Sequence, residues 1–154
     1  MILGLVDHDS YVGDIGKSPW NFQHFNVNSV GLQVNANFIP HAPFKPKYDG
    51  VPKIAREYLS LFLALGKSGM MQDDNEILQL DYVGGNALYA FILSPDMCLS
   101  GHAQPARLAP IAIEIGFEKA IPKPLQLLAL CVYDTKFEVT KNRNVILDPT
   151  QSAN

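Results

Sequence analysis

The side chains able to do acid–base, nucleophilic or metal chemistry are few in this chain, and they are scattered. His8, His24, His41 and His102 stand far apart, none with a second ligand at short spacing. Asp7-His8-Asp9 could contribute to a cation site, but three consecutive polar residues after an apolar run read as a solvated, turn-forming loop. Gln72-Asp73-Asp74-Asn75-Glu76 crowds carboxylates without the alternating ligands and central glycine of a calcium loop. His24 follows Pro19, Trp20, Asn21 and Phe22 and precedes Phe25, which poses a choice between an imidazole in an aromatic pocket and a corner of the fold. In the order of the whole chain the corner reading is the better one. Pro19 starts a turn, Trp20 and Phe22 seat a loop, and His24 is a hydrogen-bonded corner residue.

Nucleophile motifs do not appear. There is no Gly-x-Ser-x-Gly elbow, and neither Cys98 nor Cys131 is tied to a histidine by a motif. Gly66-Lys67-Ser68 lacks the upstream glycine of a phosphate loop, and Gly66 reads instead as the end of a helix whose C-terminus Lys67 would complement. The chain is therefore expected not to be an enzyme and to use no cofactor or metal. A metal-dependent enzyme would have to assemble its site from His8, His24 or His102.

The elements that must carry these residues belong to one domain of ordinary globular composition. The chain has 154 residues, of which 47% are hydrophobic and 18% charged, so it can bury a sizeable core. Eleven glycines and eleven prolines spread along the length indicate many turns rather than one linker. A net charge of −3 gives no global basic field, so no specific nucleic-acid partner is expected, although a local patch is not excluded. Cys131 lies within an apolar run and reads as a free buried thiol. No run is long enough for a membrane span, and the start lacks the basic region of a signal peptide, so an intracellular, non-secreted location is expected.

Strand periods dominate. Ile2–Val6 is a short apolar run, and Val30, Leu32 and Val34 alternate with polar or small residues. Asn35-Ala36-Asn37 suits a tight turn into a return strand that Pro40, Pro43 and Pro46 disturb. Residues 51–65 alone read as a helix. Val51, Ile54, Ala55, Tyr58, Phe62 and Leu65 share its apolar face, Lys53, Arg56 and Glu57 its polar side, and Pro52 its first turn. Strand signals resume at 75–83, 86–94, 111–121, 125–133, 136–140 and 144–148; 125–133 reads as a central strand covered on both faces. The expected fold is mainly β: an antiparallel jelly-roll sandwich with one helix in an inter-strand connection at about residues 51–65. The domain is expected over 1–150, with its N-terminal part incomplete, and a tail at 151–154.

The segments 2–35, 56–67, 80–96, 111–121 and 142–148, in that order, resemble the C-terminal part of the major capsid proteins of Maverick/Polinton elements. The pieces that carry the resemblance are Pro19, Trp20, Asn21, Phe22, His24 and Phe25; the helix run Arg56, Glu57, Tyr58; and Asp81, Tyr82, Pro95 and Asp96. The chain departs from the family at Ser18-Pro19-Trp20, where Asn-Pro-Phe is usual, at Ile92, where an acidic residue is usual, and at Pro122 and Pro124. The resemblance implies a double jelly-roll protein of adenovirus-hexon type, of which this chain would hold most of the second jelly roll. It implies a structural role in trimeric capsomers of an icosahedral shell, and partners that are further copies of the chain or other capsid proteins. A functional copy would then reside in the virion; otherwise it would be cytoplasmic or nuclear. A host-adopted or truncated capsid-derived module that interferes with assembly is the alternative. The loops at 8–19, 40–50 and 94–107 are the expected sites of inter-subunit contact.

Overall fold

A computed structural model of the chain describes residues 1–65, 77–93, 109–132 and 137–147. Along these residues run β1 (Ile2–Asp7), α1 (His8–Val12), β2 (Val27–Val34), β3 (Asn37–Phe44), α2 (Ala55–Ala64), α3 (Gln79–Gly85), β4 (Leu88–Ala90), β5 (Ile111–Phe117), β6 (Leu125–Leu130), β7 (Phe137–Val139) and β8 (Val145–Leu147). The fold is mainly β. Two three-stranded antiparallel sheets, ordered β4-β1-β6 and β3-β2-β5, are accompanied by the β7-β8 hairpin.

The period of two decides which face each strand buries. From β1 and β4, Leu3, Leu5 and Tyr89 meet Val27, Val30, Leu32 and Phe44 of the other sheet, and Phe91 joins them. The intervening residues Ile2, Leu88 and Ala90 turn the other way and pack with Ile54, Leu61, Tyr82 and Ala87 beneath α2 and α3. The β4-β1 pair is thus covered on both sides, which is why the runs Ile2–Val6 and Ala87–Phe91 are apolar almost throughout. Each large apolar side chain so buried contributes about 1.5–3 kcal/mol.

Several sequence expectations hold. Val34 pairs with Asn37 across Asn35 and Ala36, both at positive φ (51° and 63°), as a two-residue hairpin requires. β7 and β8 form about Lys141–Asn144, with Arg143 at φ 62°. β3 does not stop at its prolines. It loses register between its pairings at Ile39 and Phe44, an irregularity that an edge strand tolerates because its outer N–H groups have no ladder to complete.

Other expectations are corrected. Residues 79–85 are helical rather than extended: a strand would put Leu78, Leu80 and Tyr82 on one face, whereas only Tyr82 is buried and both leucines are exposed. The strand expected over 86–94 is short, Leu88–Ala90. Among the described residues β6 is an edge strand rather than a central one, and Leu130 and Val132 at its end are exposed. Cys131 is a free thiol of intermediate exposure rather than a buried one. Asp7 does not open a loop but caps α1, its carboxylate accepting the Asp9 N–H at 3.2 Å.

The helix expected over 51–65 begins at Ala55. Pro52 lies before it, where Lys47 and Lys53 form an antiparallel bridge. Its buried stripe is Ile54, Glu57 and Leu61, flanked by Tyr58 and Ala64, so the apolar stripe sits one position away from the expected face and leaves Val51, Ala55 and Leu65 exposed. Glu57, expected on the polar side, is 3% exposed. Gly66, expected to end the helix, lies outside the described residues, as do Gln72–Glu76, Cys98 and His102.

Candidate functional site

The residues that carried the sequence resemblance meet only in part: Phe22 at the end of α3, and His24, Glu57 and Tyr82 around Tyr48. Phe22 forms an isolated bridge with Asn86: its N–H donates to the Gly85 carbonyl at 2.8 Å and its own carbonyl accepts the Ala87 N–H at 2.9 Å. Gly85 makes the approach possible. Its φ is +151°, and a Cβ there would stand 2.7 Å from Asn21 Oδ1. Across the same junction the Phe22 ring lies over Gly4 of β1, where a Cβ would meet it at 2.5 Å. Phe22 therefore seats the loop as expected. Trp20 does not: it is 74% exposed and touches Phe22 only edge-on, with ring centroids 6.4 Å apart. Pro19 is exposed beside it.

His24 turns the chain into β2. Its Nδ1 accepts the Asn26 N–H at 3.0 Å and its carbonyl accepts the Val27 N–H at 2.9 Å, while Phe25 and Asn26 take positive φ. An accepting Nδ1 places the neutral imidazole's proton on Nε2. The ring stacks on Tyr48, with centroids 3.9 Å apart and planes within 12°. Burial holds the imidazole's pKa below its ordinary value, and the nearby charge of Asp49 opposes this. His24 is a structural corner.

Beyond Tyr48 lies a buried polar cluster. Its hydroxyl shares a 2.8 Å hydrogen bond with that of Tyr89, and the Tyr82 hydroxyl donates to the Leu88 carbonyl at 2.7 Å. Burial pushes the phenols upward, Tyr48 to about 12, and each is pushed further by the charge of Glu57. Burial likewise raises the Glu57 carboxyl, against the N–H groups of Glu57 and Lys45 and the charge of Arg56. Tyr58 donates to the Ile77 carbonyl at 2.7 Å and packs edge-on against Tyr82 and Phe62. Arg56 stays outside, its guanidinium donating to the Ala42 and Pro43 carbonyls at 3.1 and 3.4 Å above the Phe44 ring. Asp81 is exposed, and its carbonyl accepts from the Asn86 side chain at 3.2 Å. Pro95 and Asp96 lie outside the described residues.

Sequence reasoning missed Tyr48 and Tyr89. Their only signal is a tyrosine hydroxyl within apolar surroundings, which needs a partner that sequence spacing cannot supply. Elsewhere, Asp7 and Asp9 share Lys17, whose Nζ lies 3.1 and 3.0 Å from them, so the Asp7-His8-Asp9 run is organised around an ammonium group. Among the described residues no three His, Cys, Asp or Glu side chains are grouped to hold a metal ion. Among them, too, no helix is long and apolar enough to cross a membrane.

The second feature is a side of the sandwich left open among the described residues. Among them β5 and β6 are the edge strands of their sheets on that side, and an apolar groove of about 540 Å³ runs between them. Leu5, Ile115, Phe117, Leu125 and Leu127 line it, and Ile121 to Pro124 close one end. Such a groove offers apolar contact and free backbone edges rather than a convergent set of reactive groups.

No family model and no solved structure matches the chain. It is similar to an uncharacterized Caenorhabditis elegans protein, F54H12.2, at 25% identity over 150 residues, which is 96% of this chain and 36% of that protein. The chain therefore spans about a third of the length of the curated relative it matches.

Proposed function

We propose that this chain is a structural assembly domain, the second jelly roll of a capsid-type shell protein, that associates through the open side of its sandwich. The observation that carries the reading is the apolar groove between the β5 and β6 edges, which leaves Ile115, Phe117 and Leu127 only partly covered. A two-sheet protein gains most by covering such a side with another sheet or another copy. Connectivity is in keeping with a jelly roll, because the chain crosses from one sheet to the other on leaving β1, β3, β4 and β5. The collinear resemblance described above supplies the specific form, a trimeric capsomer.

Size-exclusion chromatography with light scattering tests it. The chain has a mass of 17.0 kDa, and the expected result is a multiple of that mass, reduced to a single chain by Ile115→Lys with Leu127→Lys. A wild-type protein that stays monomeric, and that forms no particles by electron microscopy when coexpressed with its longer relatives, would remove the assembly role.

A further inference from the structure

Residues 45–56 hold four of the chain's twelve lysines and arginines, in a molecule whose net charge is −3. Lys45, Lys47, Lys53 and Arg56 are all exposed. The fold draws them together. Lys47 and Lys53 exchange both backbone hydrogen bonds, at 3.2 and 2.9 Å, so they form a directly opposed antiparallel pair. Side chains of such a pair leave on the same side, with Cα atoms about 5.5 Å apart, and like charges placed there destabilise the pairing. Among the described residues none of Lys45, Lys47 and Lys53 has an ion-pair partner; the ion pairs present are those of Lys17.

Two acidic residues lie nearby: Glu57 is buried, in the electrostatic reach of the tyrosine cluster, and the exposed Asp49 is in no ion pair with the lysines among the described residues, so cations outnumber the carboxylates here. Arg56 is fixed by two carbonyls and the Phe44 ring, neutral partners that orient the guanidinium without cancelling its charge. Lys45, Lys53 and Arg56 border a shallow depression of about 460 Å³ at the start of α2, which Glu57 and Gln79 also line, and the Lys47–Lys53 bridge places a further cation beside it.

We propose that this cationic surface binds the phosphate groups of a nucleic-acid backbone without reading bases. Lys45, Lys53 and Arg56 border the depression while Lys47 stands outside it, opposite Lys53, a spread that suits a ligand of repeated single charges better than one compact anion. A membrane surface is the poorer fit, because Val51 is the sole exposed large apolar residue of the stretch and interfacial binding scales with buried apolar area. The assembly role does not enter this inference, since a single chain carries the whole surface.

The test is fluorescence anisotropy of a labelled mixed-sequence DNA duplex titrated with the full chain at two salt concentrations. With four phosphate contacts, affinity should fall about a hundred-fold between about 50 and 200 mM NaCl. Lys45→Gln, Lys47→Gln and Lys53→Gln together should weaken binding at least about ten-fold and flatten the logarithmic salt slope by about three. Lys53→Gln alone should flatten it by about one, which keeps the test decisive if the triple variant fails to fold. Lys119→Gln, exposed at the β5–β6 turn, should leave binding unchanged. The inference is overturned by any of three results: no anisotropy change at the lower salt, a loss in Lys119→Gln equal to that in Lys53→Gln, or sedimentation with phosphatidylserine vesicles in the absence of DNA binding.

Discussion

The hydroxyls of Tyr48 and Tyr89 meet at 2.8 Å, joining the loop that leads into α2 to the central sheet pair. Tyr89 is 2% exposed, so its hydroxyl has exchanged water for this one partner. Tyr48→Phe should therefore cost about 1–3 kcal/mol, the penalty of an unpaired buried hydroxyl. Tyr48→Phe with Tyr89→Phe should recover a large part of that loss, because both polar groups go together. A double-mutant cycle by denaturant unfolding reads the coupling directly.

His24 gives a pH dependence of defined sign. Its native pKa lies below the unfolded value, so the unfolded chain binds more protons in the window between them. Its contribution to stability is then complete above about pH 6.5 and is lost as pH falls toward the native pKa. His24→Asn, which keeps a side-chain acceptor for the Asn26 N–H, should flatten the thermal-stability profile below neutrality.

Glu57 acts in the opposite direction. Its native pKa is raised by burial, so its contribution is complete below the unfolded value and lost as pH rises through the native one. Glu57→Gln, which retains an oxygen for the backbone N–H groups, should raise the melting temperature at neutral and alkaline pH and leave it little changed near pH 4. Thermal unfolding of both proteins across pH measures this.

Gly4 is a packing test. A methyl group there meets Phe22 at 2.5 Å and Leu88 at 2.9 Å, so Gly4→Ala should destabilise by about 1–3 kcal/mol. Adding Phe22→Leu should return part of that loss, as seen by differential scanning calorimetry. If Gly4→Ala is tolerated without change, Phe22 does not seat the corner as described.

Lys17 organises the first helix. Asp7 is held below the usual carboxylate range by its hydrogen bond to Lys17, so its contribution is present at neutral pH and lost as pH falls. Lys17→Met should lower the melting temperature at low salt, and the difference should shrink as salt rises, since both partners are solvent-screened.

The sequence by itself determined the class of this fold. Alternation in Val30–Val34 and Ile111–Phe117, the Asn35-Ala36 turn and the helical period after Ile54 are local, because each follows from the direction of successive side chains along a strand or helix. Tertiary structure decided what local periods cannot. Residues 79–85 are helical, a form that buries Tyr82 with its hydroxyl on the Leu88 carbonyl and leaves Leu78 and Leu80 exposed. Glu57 turned inward because α2 is offset by one position from its expected stripe, toward a cluster assembled from Tyr48, Tyr82 and Tyr89. Lys45, Lys47, Lys53 and Arg56 were plain in the sequence, yet only the bridge between Lys47 and Lys53 made them one surface. Covering a hydroxyl, opposing two ammonium groups or leaving a sheet edge open are relations between distant segments, and their energies exist only once those segments meet.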